Sequence, residues 1–181
     1  MQQQEKRARL RDIIRSRSLL AEGEFRLVSG RSSSYFFDMK KTMFDPEGAA
    51  LLADLLYDSI AHEAVDYVGG IETGGIPLVS LVCRRSWAER PLKGFFVRKA
   101  MKGHGTDRRI DGYIEEGAKV VLFDDVTTTG GSVMTAVEAA RERGCAIVKV
   151  LTVVDRLEGA AENFAKAGIR FEALYTRDDF D

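Results

Sequence analysis

The chain has 181 residues, 45% hydrophobic and 30% charged, enough for one α/β domain with a full core and too few for two independent ones. Its 27 Lys and Arg against 28 Asp and Glu leave a net charge of -1, which excludes general affinity for nucleic acid or an anionic membrane while leaving local charge free to act. The opening Met1-Gln-Gln-Gln-Glu-Lys-Arg-Ala-Arg9 has no apolar run behind its basic residues, and no later stretch is long enough for a membrane span, so a cytoplasmic protein without signal or anchor is expected.

Residues 5–20 space Leu10, Ile13, Ile14 and Leu20 among charges, which predicts an amphipathic first helix. Phe25 to Asp38 reads as two short extended pieces around a Ser-rich turn at Gly30 to Ser34. Asp45-Pro46 predicts a helix start, with a side-chain cap and a proline in the first turn, and Leu52, Leu55, Leu56 and Ile60 give that helix its apolar face. His62, late in the same helix, is read as structurally ordinary. A strand is predicted over Tyr67–Ile71, then a Gly-rich loop over Gly69–Pro77 and a helix over roughly 77–85. Phe95–Arg98 is a further strand, and Lys99–Gly112, polar, glycine-bearing and aperiodic, is a long mobile loop. Lys119–Phe123 is a core strand and Asp124–Ser132 a loop. Val133, Ala136, Val137 and Ala140 form a helix face that stops at Gly144. Ile147–Val154 is apolar enough for a buried strand. A helix over about 158–167 stops at Gly168, and Phe171–Tyr175 is the last strand. Cys83 and Cys145, neither in a paired spacing, are expected to be reduced and buried. Strands alternating with helices at this spacing predict a mostly parallel central sheet with helices on both faces.

Ligands of such sheets gather at the carboxyl ends of the strands. The richest polar sequence falls there: Val120-Val-Leu-Phe-Asp-Asp-Val-Thr-Thr-Thr-Gly-Gly-Ser132. Thr127, Thr128, Thr129 and Ser132 bring hydroxyls, and Gly130 and Gly131 let backbone N–H groups turn inward. The helix that follows adds its own unpaired N–H groups, so this turn suits a phosphate monoester. Asp124 and Asp125 suit sugar hydroxyls or a magnesium-bound substrate instead. An ordinary solvated loop with a helix cap explains the crowding of two acids, four hydroxyls and two glycines poorly. Neither GxxxxGK[ST] nor a GxGxxG after a strand is present. A second cluster, Arg98-Lys99-Ala-Met-Lys102-Gly-His104-Gly105, gathers four cationic or titratable side chains, with Gly103 and Gly105 flanking the histidine. A loop of that kind can swing over a polyanion and meet the charge that grows on a departing diphosphate.

The apolar strand, two acids and Thr-Thr-Gly-Gly-Ser together resemble the phosphoribosyl pyrophosphate signature of the type I phosphoribosyltransferases. Arg98-Lys99-x-x-Lys102-x-His104 is similar to the catalytic loop of the orotate phosphoribosyltransferases, and the likeness runs from about residue 20 to the end. It implies one type I phosphoribosyltransferase domain over residues 1–181, with hood elements over about 1–40 and a core over about 41–181. It further implies that Arg98, Lys99, Lys102 and His104 contact the diphosphate of the donor, reaching from the neighbouring subunit of a homodimer with shared active sites. Lys99, Lys102, His104, Asp124 and Asp125 become the catalytic candidates, and the Val126–Ser132 turn the phosphate cradle. Arg156, just beyond the Ile147–Val154 strand, matches the arginine that binds the orotate carboxylate, a role for which a planar guanidinium is suited, with Thr128 as second contact. The stretch Ser29–Asp38 resembles the segment that covers the pyrimidine, which assigns Phe36 and Phe37 to the base, and Glu72 and Thr73 match the diphosphate loop. Mg²⁺ is implied as the cofactor, carried mainly on the diphosphate, with no metal site made of protein ligands alone. Two positions depart from the pattern: Val28 where several members have lysine, and Ser34 where proline is common. Two other readings stay open, a phosphoribosyltransferase for another base and a non-catalytic sensor of phosphoribosyl pyrophosphate. Arg156 and the loop histidine speak against the first. The retained loop cations and neutral charge, with only a short segment before the core, speak against the second.

Overall fold

The computed structural model describes residues 2–20, 25–26, 32–33, 35–99 and 109–181. Helix α1 (Gln3–Ile13) runs into a wider π turn at Ile14–Ser18, burying Leu10, Ile13 and Ile14. The first helix was expected to reach residue 20, but Leu19–Leu20 leaves it as strand β1. A pairing partner explains the break: β1 lies antiparallel to β4 (Phe36–Phe37), and Ser18 accepts a backbone bond from Asp38. The backbones of β2 (Phe25–Arg26) and β3 (Ser32–Ser33) pair antiparallel, the two extended pieces expected there. A short helix α2 (Lys40–Met43) leads to α3 (Pro46–Asp58). The Asp45 carboxylate accepts from the Gly48 N–H at 2.9 Å, so the predicted cap is present. His62 lies exposed in the turn beyond α3 rather than within it.

The main sheet has six strands in the order β10-β9-β8-β5-β6-β7: β5 (Tyr67–Ile71), β6 (Lys93–Val97), β7 (Ile110–Gly112), β8 (Lys119–Thr127), β9 (Ala146–Asp155) and β10 (Phe171–Thr176). All neighbours are parallel except β7, which runs antiparallel to β6. That strand claims residues 110–112 from the expected long loop, because Val97 and Ile110 pair and both are buried. Helices α4 (Gly75–Ser86), α5 (Gly131–Glu142) and α6 (Ala160–Lys166) connect the strands.

Alternate residues of each strand feed two cores. Val121 and Phe123 of β8 pack with α1, α3 and α4 on one face, while Val120 and Leu122 pack with Val133, Ala136, Val137 and Ala140 of α5 on the other. Each of these β8 side chains is fully buried, and burial of a large apolar side chain contributes about 1.5–3 kcal/mol. Within β9, Lys149 is 1% exposed; its ammonium meets Glu172 at 2.6 Å and the Ser59 carbonyl at 2.8 Å, so the charge is paired in place. Of the two thiols, Cys145 is buried, Cys83 is half-buried and both are free. Among the described residues no helix is long and apolar enough to cross a membrane.

The strand expected over Tyr67–Ile71 is present with those bounds, and one expected loop turns out to be strand. Gly69 and Gly70 belong to β5, in register with Leu122 and Phe123. A Cβ on Gly70 would stand 2.8 Å from the Gly75 Cα, so glycine here lets α4 start directly against the strand. Asp124 and Asp125, expected in a loop, extend β8, which stays paired with β9 as far as Thr127 and Asp155. The chain leaves β5 toward β6 on one side and leaves β8 toward β9 on the other, which opens a crevice between their carboxyl ends.

Candidate active site

A cleft in two connected parts occupies that crevice. The first part, about 400 Å³, is lined by Lys99, Asp124, the Val126–Ser132 stretch and Thr135. The second, about 300 Å³, shares Lys99, Asp124, Val126, Thr128 and Ser132 and adds Phe36, Phe37, Lys40, Glu72, Thr73, Asp125 and Arg156. Residues from β4, β5, β8 and β9, far apart in sequence, thus converge on one volume.

The Thr128–Gly130 turn between β8 and α5 is tight. Gly130 has φ 82°, and a Cβ there would sit 2.8 Å from the Phe164 ring, so the position favours glycine twice over. Asn163 donates to the Thr129 carbonyl at 2.9 Å and steadies the turn from α6. Beyond it, the first N–H groups of the 12-residue α5 face the cleft beside the hydroxyls, an arrangement fit for an anion. Thr135 lies one turn after Ser132 on the same helix and lines the same volume.

Asp124 is 6% exposed. Burial, then the neighbouring Asp125 carboxylate, push its carboxyl up to about 8, although the Thr127 hydroxyl donates to it at 2.8 Å. Burial also raises Asp125, while backbone N–H groups and the charges of Lys40 and Lys99 pull it down. Two coupled acids therefore stand ready to take a cationic or hydroxyl-bearing ligand. At the end of β5 the Glu72–Thr73 peptide is cis, and the Glu72 carboxylate accepts from the Lys99 N–H at 2.6 Å, tying the β5 loop to the segment after β6.

Lys99 and Arg98 part company. Lys99 lines both parts of the cleft, whereas the Arg98 guanidinium pairs with Asp111 on β7 through a 2.6 Å bond from Nε and stacks 5.2 Å from the Phe96 ring. Arg98, expected at the substrate, is thus engaged away from the cleft. Lys102 and His104 lie outside the described residues, as do Val28 and Ser34. Arg156 follows β9, donates its N–H to the Thr127 carbonyl at 3.0 Å and is 3% exposed. Its Nε donates to Glu158 at 2.7 Å and its guanidinium lies 4.2 Å from the Tyr35 ring centre.

Sequence reasoning did not single out Tyr35, Lys40, Thr135 or Glu158. Thr135 was legible from its spacing to Ser132 and Glu158 from its place two residues after Arg156; Tyr35 and Lys40 reach the site only through the fold.

A match to the phosphoribosyl transferase domain covers residues 41–171. The chain is also 51% identical over 179 residues to the orotate phosphoribosyltransferase of Rhodopseudomonas palustris strain BisB5, spanning 96% of this chain and 95% of that protein. The chain belongs to the orotate phosphoribosyltransferase family. An orotate phosphoribosyltransferase as distant as that of Methanocaldococcus jannaschii keeps 41% identity over 172 residues, 95% of each chain. The family fold is evident in the Mycobacterium tuberculosis H37Rv orotate phosphoribosyltransferase bound to 5-phospho-alpha-D-ribosyl 1-diphosphate, with TM-score 0.80 and 29% identity over 98% of this chain and 92% of that one. The Corynebacterium diphtheriae phosphoribosyltransferase is similar at TM-score 0.86 and 31% identity, over 97% of this chain and 98% of that one.

Proposed function

We propose that this protein transfers ribose 5-phosphate from phosphoribosyl pyrophosphate to orotate, giving orotidine 5'-phosphate and diphosphate on the route to UMP. The observation that carries this reading is the convergence of Asp124, Asp125, the Thr127–Ser132 cradle, Lys99 and Arg156 on one cleft, in a chain 51% identical to an orotate phosphoribosyltransferase. The same likeness favours orotate over another base and catalysis over mere sensing.

Each wall has a task. The 5-phosphate sits in the Thr127–Ser132 turn at the start of α5, where N–H and hydroxyl donors replace its water. Asp124 and Asp125 hold the ribose hydroxyls, and as they ionise against the substrate their charge favours the positive charge that builds on the sugar as the C1–O bond loosens. Arg156 and Thr128 hold the orotate carboxylate, and Phe36 and Phe37 cover the pyrimidine. The orotate nitrogen forms its bond to C1 from the face opposite the diphosphate, which leaves with the bonding electron pair, so C1 inverts. Lys99, Lys102, His104 and the Glu72–Thr73 loop meet the charge on the departing group. Among the described residues of the cleft, no side chain is set up as a covalent nucleophile.

Magnesium fits this donor set. Asp124, Asp125 and Glu72 offer hard oxygen atoms to an ion carried on the diphosphate. When bound, it neutralises charge on the leaving group. We further propose a homodimer in which Arg98, Lys102 and His104 serve the sister subunit's cleft, residues 1–40 acting as a hood over a core at 41–181, and a cytoplasmic location. The deciding experiment is orotate-dependent release of diphosphate with magnesium. Release with adenine or hypoxanthine but not orotate, or no release at all, would refute the reading.

A further inference from the structure

Lys40 stands on the wall of the cleft with no role in the transfer described so far. It opens α2, directly after the Phe36–Phe37 strand, and lines the second part of the cleft with Phe36, Glu72, Thr73, Lys99 and Asp125. Its ammonium lies 2.5 Å from Asp38, and its charge opposes the burial that raises the Asp125 carboxyl. Lys40 is therefore within electrostatic reach of Asp125, beside the Glu72–Thr73 loop. The neighbouring Lys41 is exposed and absent from the cleft wall.

The charge in this part of the cleft is finely divided. Glu72 and Asp125, with the buried Asp124 beside them, face Lys40, Lys99 and Arg156, so a polyanion entering the volume meets acids as well as cations and draws on each lysine. Arg156 stacks on Tyr35 and pairs with Glu158 at the base end, which leaves the lysines nearest the Glu72–Thr73 loop. The Asp38 pair is no obstacle, because the Lys40 side chain is 57% exposed and ion pairs in that setting are weak. A long lysine stem can exchange one carboxylate for a more highly charged phosphate group without moving the backbone.

We propose that Lys40 is a diphosphate-binding residue, gripping the leaving group from the hood side while Lys99 grips it from the sheet side. This rests on the phosphoribosyl-transfer reading for the identity of the ligand. The probe is sodium diphosphate in magnesium chloride, titrated calorimetrically into the full-length protein. Lys40→Ala weakens its binding about 10-fold or more, the loss of one charge-assisted hydrogen bond. Lys40→Arg restores most of it, Lys41→Ala binds as the parent does, and orotate affinity is unchanged in all three. Unaltered diphosphate affinity in Lys40→Ala overturns the proposal. So does an equal loss in Lys41→Ala, which marks a general field effect, or a loss confined to orotate. The two readings separate cleanly. Lys40-dependent diphosphate binding without orotate turnover sinks the proposed reaction alone, and normal turnover with Lys40-independent binding sinks the Lys40 assignment alone. A parent protein that takes up no diphosphate sinks both.

Discussion

Arg156 is 3% exposed, yet it forms part of the wall of a water-accessible cleft. Glu158 pairs with its Nε at 2.7 Å and the Tyr35 ring lies 4.2 Å away, so the planar group is oriented before any ligand arrives and loses little freedom on binding a carboxylate. Arg156→Ala removes that partner and should weaken orotate binding about 100-fold, within the 2–5 kcal/mol range for a desolvated charge pair. Phosphoribosyl pyrophosphate affinity should stay near its original value, and titrating each ligand separately checks the split. Asp124 poses the opposite problem, a buried acid beside another acid. Its carboxyl stands at about 8 in the folded protein against 3.8 in the unfolded chain. Between those values the folded protein keeps a proton that the unfolded chain has lost, so stability falls as pH rises from about 4 and levels off above about 8. Asp124→Asn is neutral throughout. It should unfold at a temperature about 4 °C or more above the parent at pH 8.5 and near the parent's at pH 4, while losing transferase activity. Thermal unfolding across that pH range tests the sign, and a parallel pH dependence in the variant refutes it.

At the scale of elements, the strands overran what periodicity alone could read. The parallel core, the capped start of α3 and the stops at Gly144 and Gly168, with φ of 74° and 67°, were legible because caps, apolar spacing and left-handed glycines are local signals. The end of β8 was not. Asp124-Asp125-Val126-Thr127 is polar by composition, but β9 pairs with it as far as Asp155, and a partner strand satisfies backbone that a polar sequence would otherwise leave to water. Gly69 and Gly70 lie inside the strand read over Tyr67–Ile71, where glycine serves because another backbone or ring comes close. The chemistry of the cleft was readable from the Asp-Asp-Val-Thr-Thr-Thr-Gly-Gly-Ser run, whereas Lys40 and Tyr35 reach it only when the segment around β4 folds against the ends of β5, β8 and β9. Gly70→Ala tests the close approach. The added methyl would stand 2.8 Å from Gly75 Cα and 3.0 Å from its carbonyl carbon, forcing α4 off the strand. Unfolding should come about 2–3 kcal/mol sooner in urea, the cost of overpacking a filled core, with weaker diphosphate binding because α4 follows the Glu72–Gly74 loop. A variant of parental stability refutes the contact.

For the whole molecule, consecutive side chains after β6 divide the labour. Lys99 faces the cleft, while Arg98 is turned to Asp111 and Phe96. Adjacent residues of an extended chain point to opposite sides, so a segment leaving this edge can serve its own site with one residue and a neighbour's site with the next. If Lys102 works in the sister subunit, lesions in loop and cleft must complement one another. Lys102→Ala and Asp125→Asn are each expected to be nearly inactive alone. In a dimer containing one of each, the Lys102→Ala subunit keeps its acids and receives an intact loop from its partner, and the other site carries both lesions. Random subunit exchange makes half the dimers mixed, with one working site in two, so the mixture should recover about a quarter of the parental activity per subunit. Recovery should climb as exchange proceeds and vanish when the two proteins are crosslinked before mixing. Activity that stays at the level of the separate variants means that each subunit closes over its own substrate.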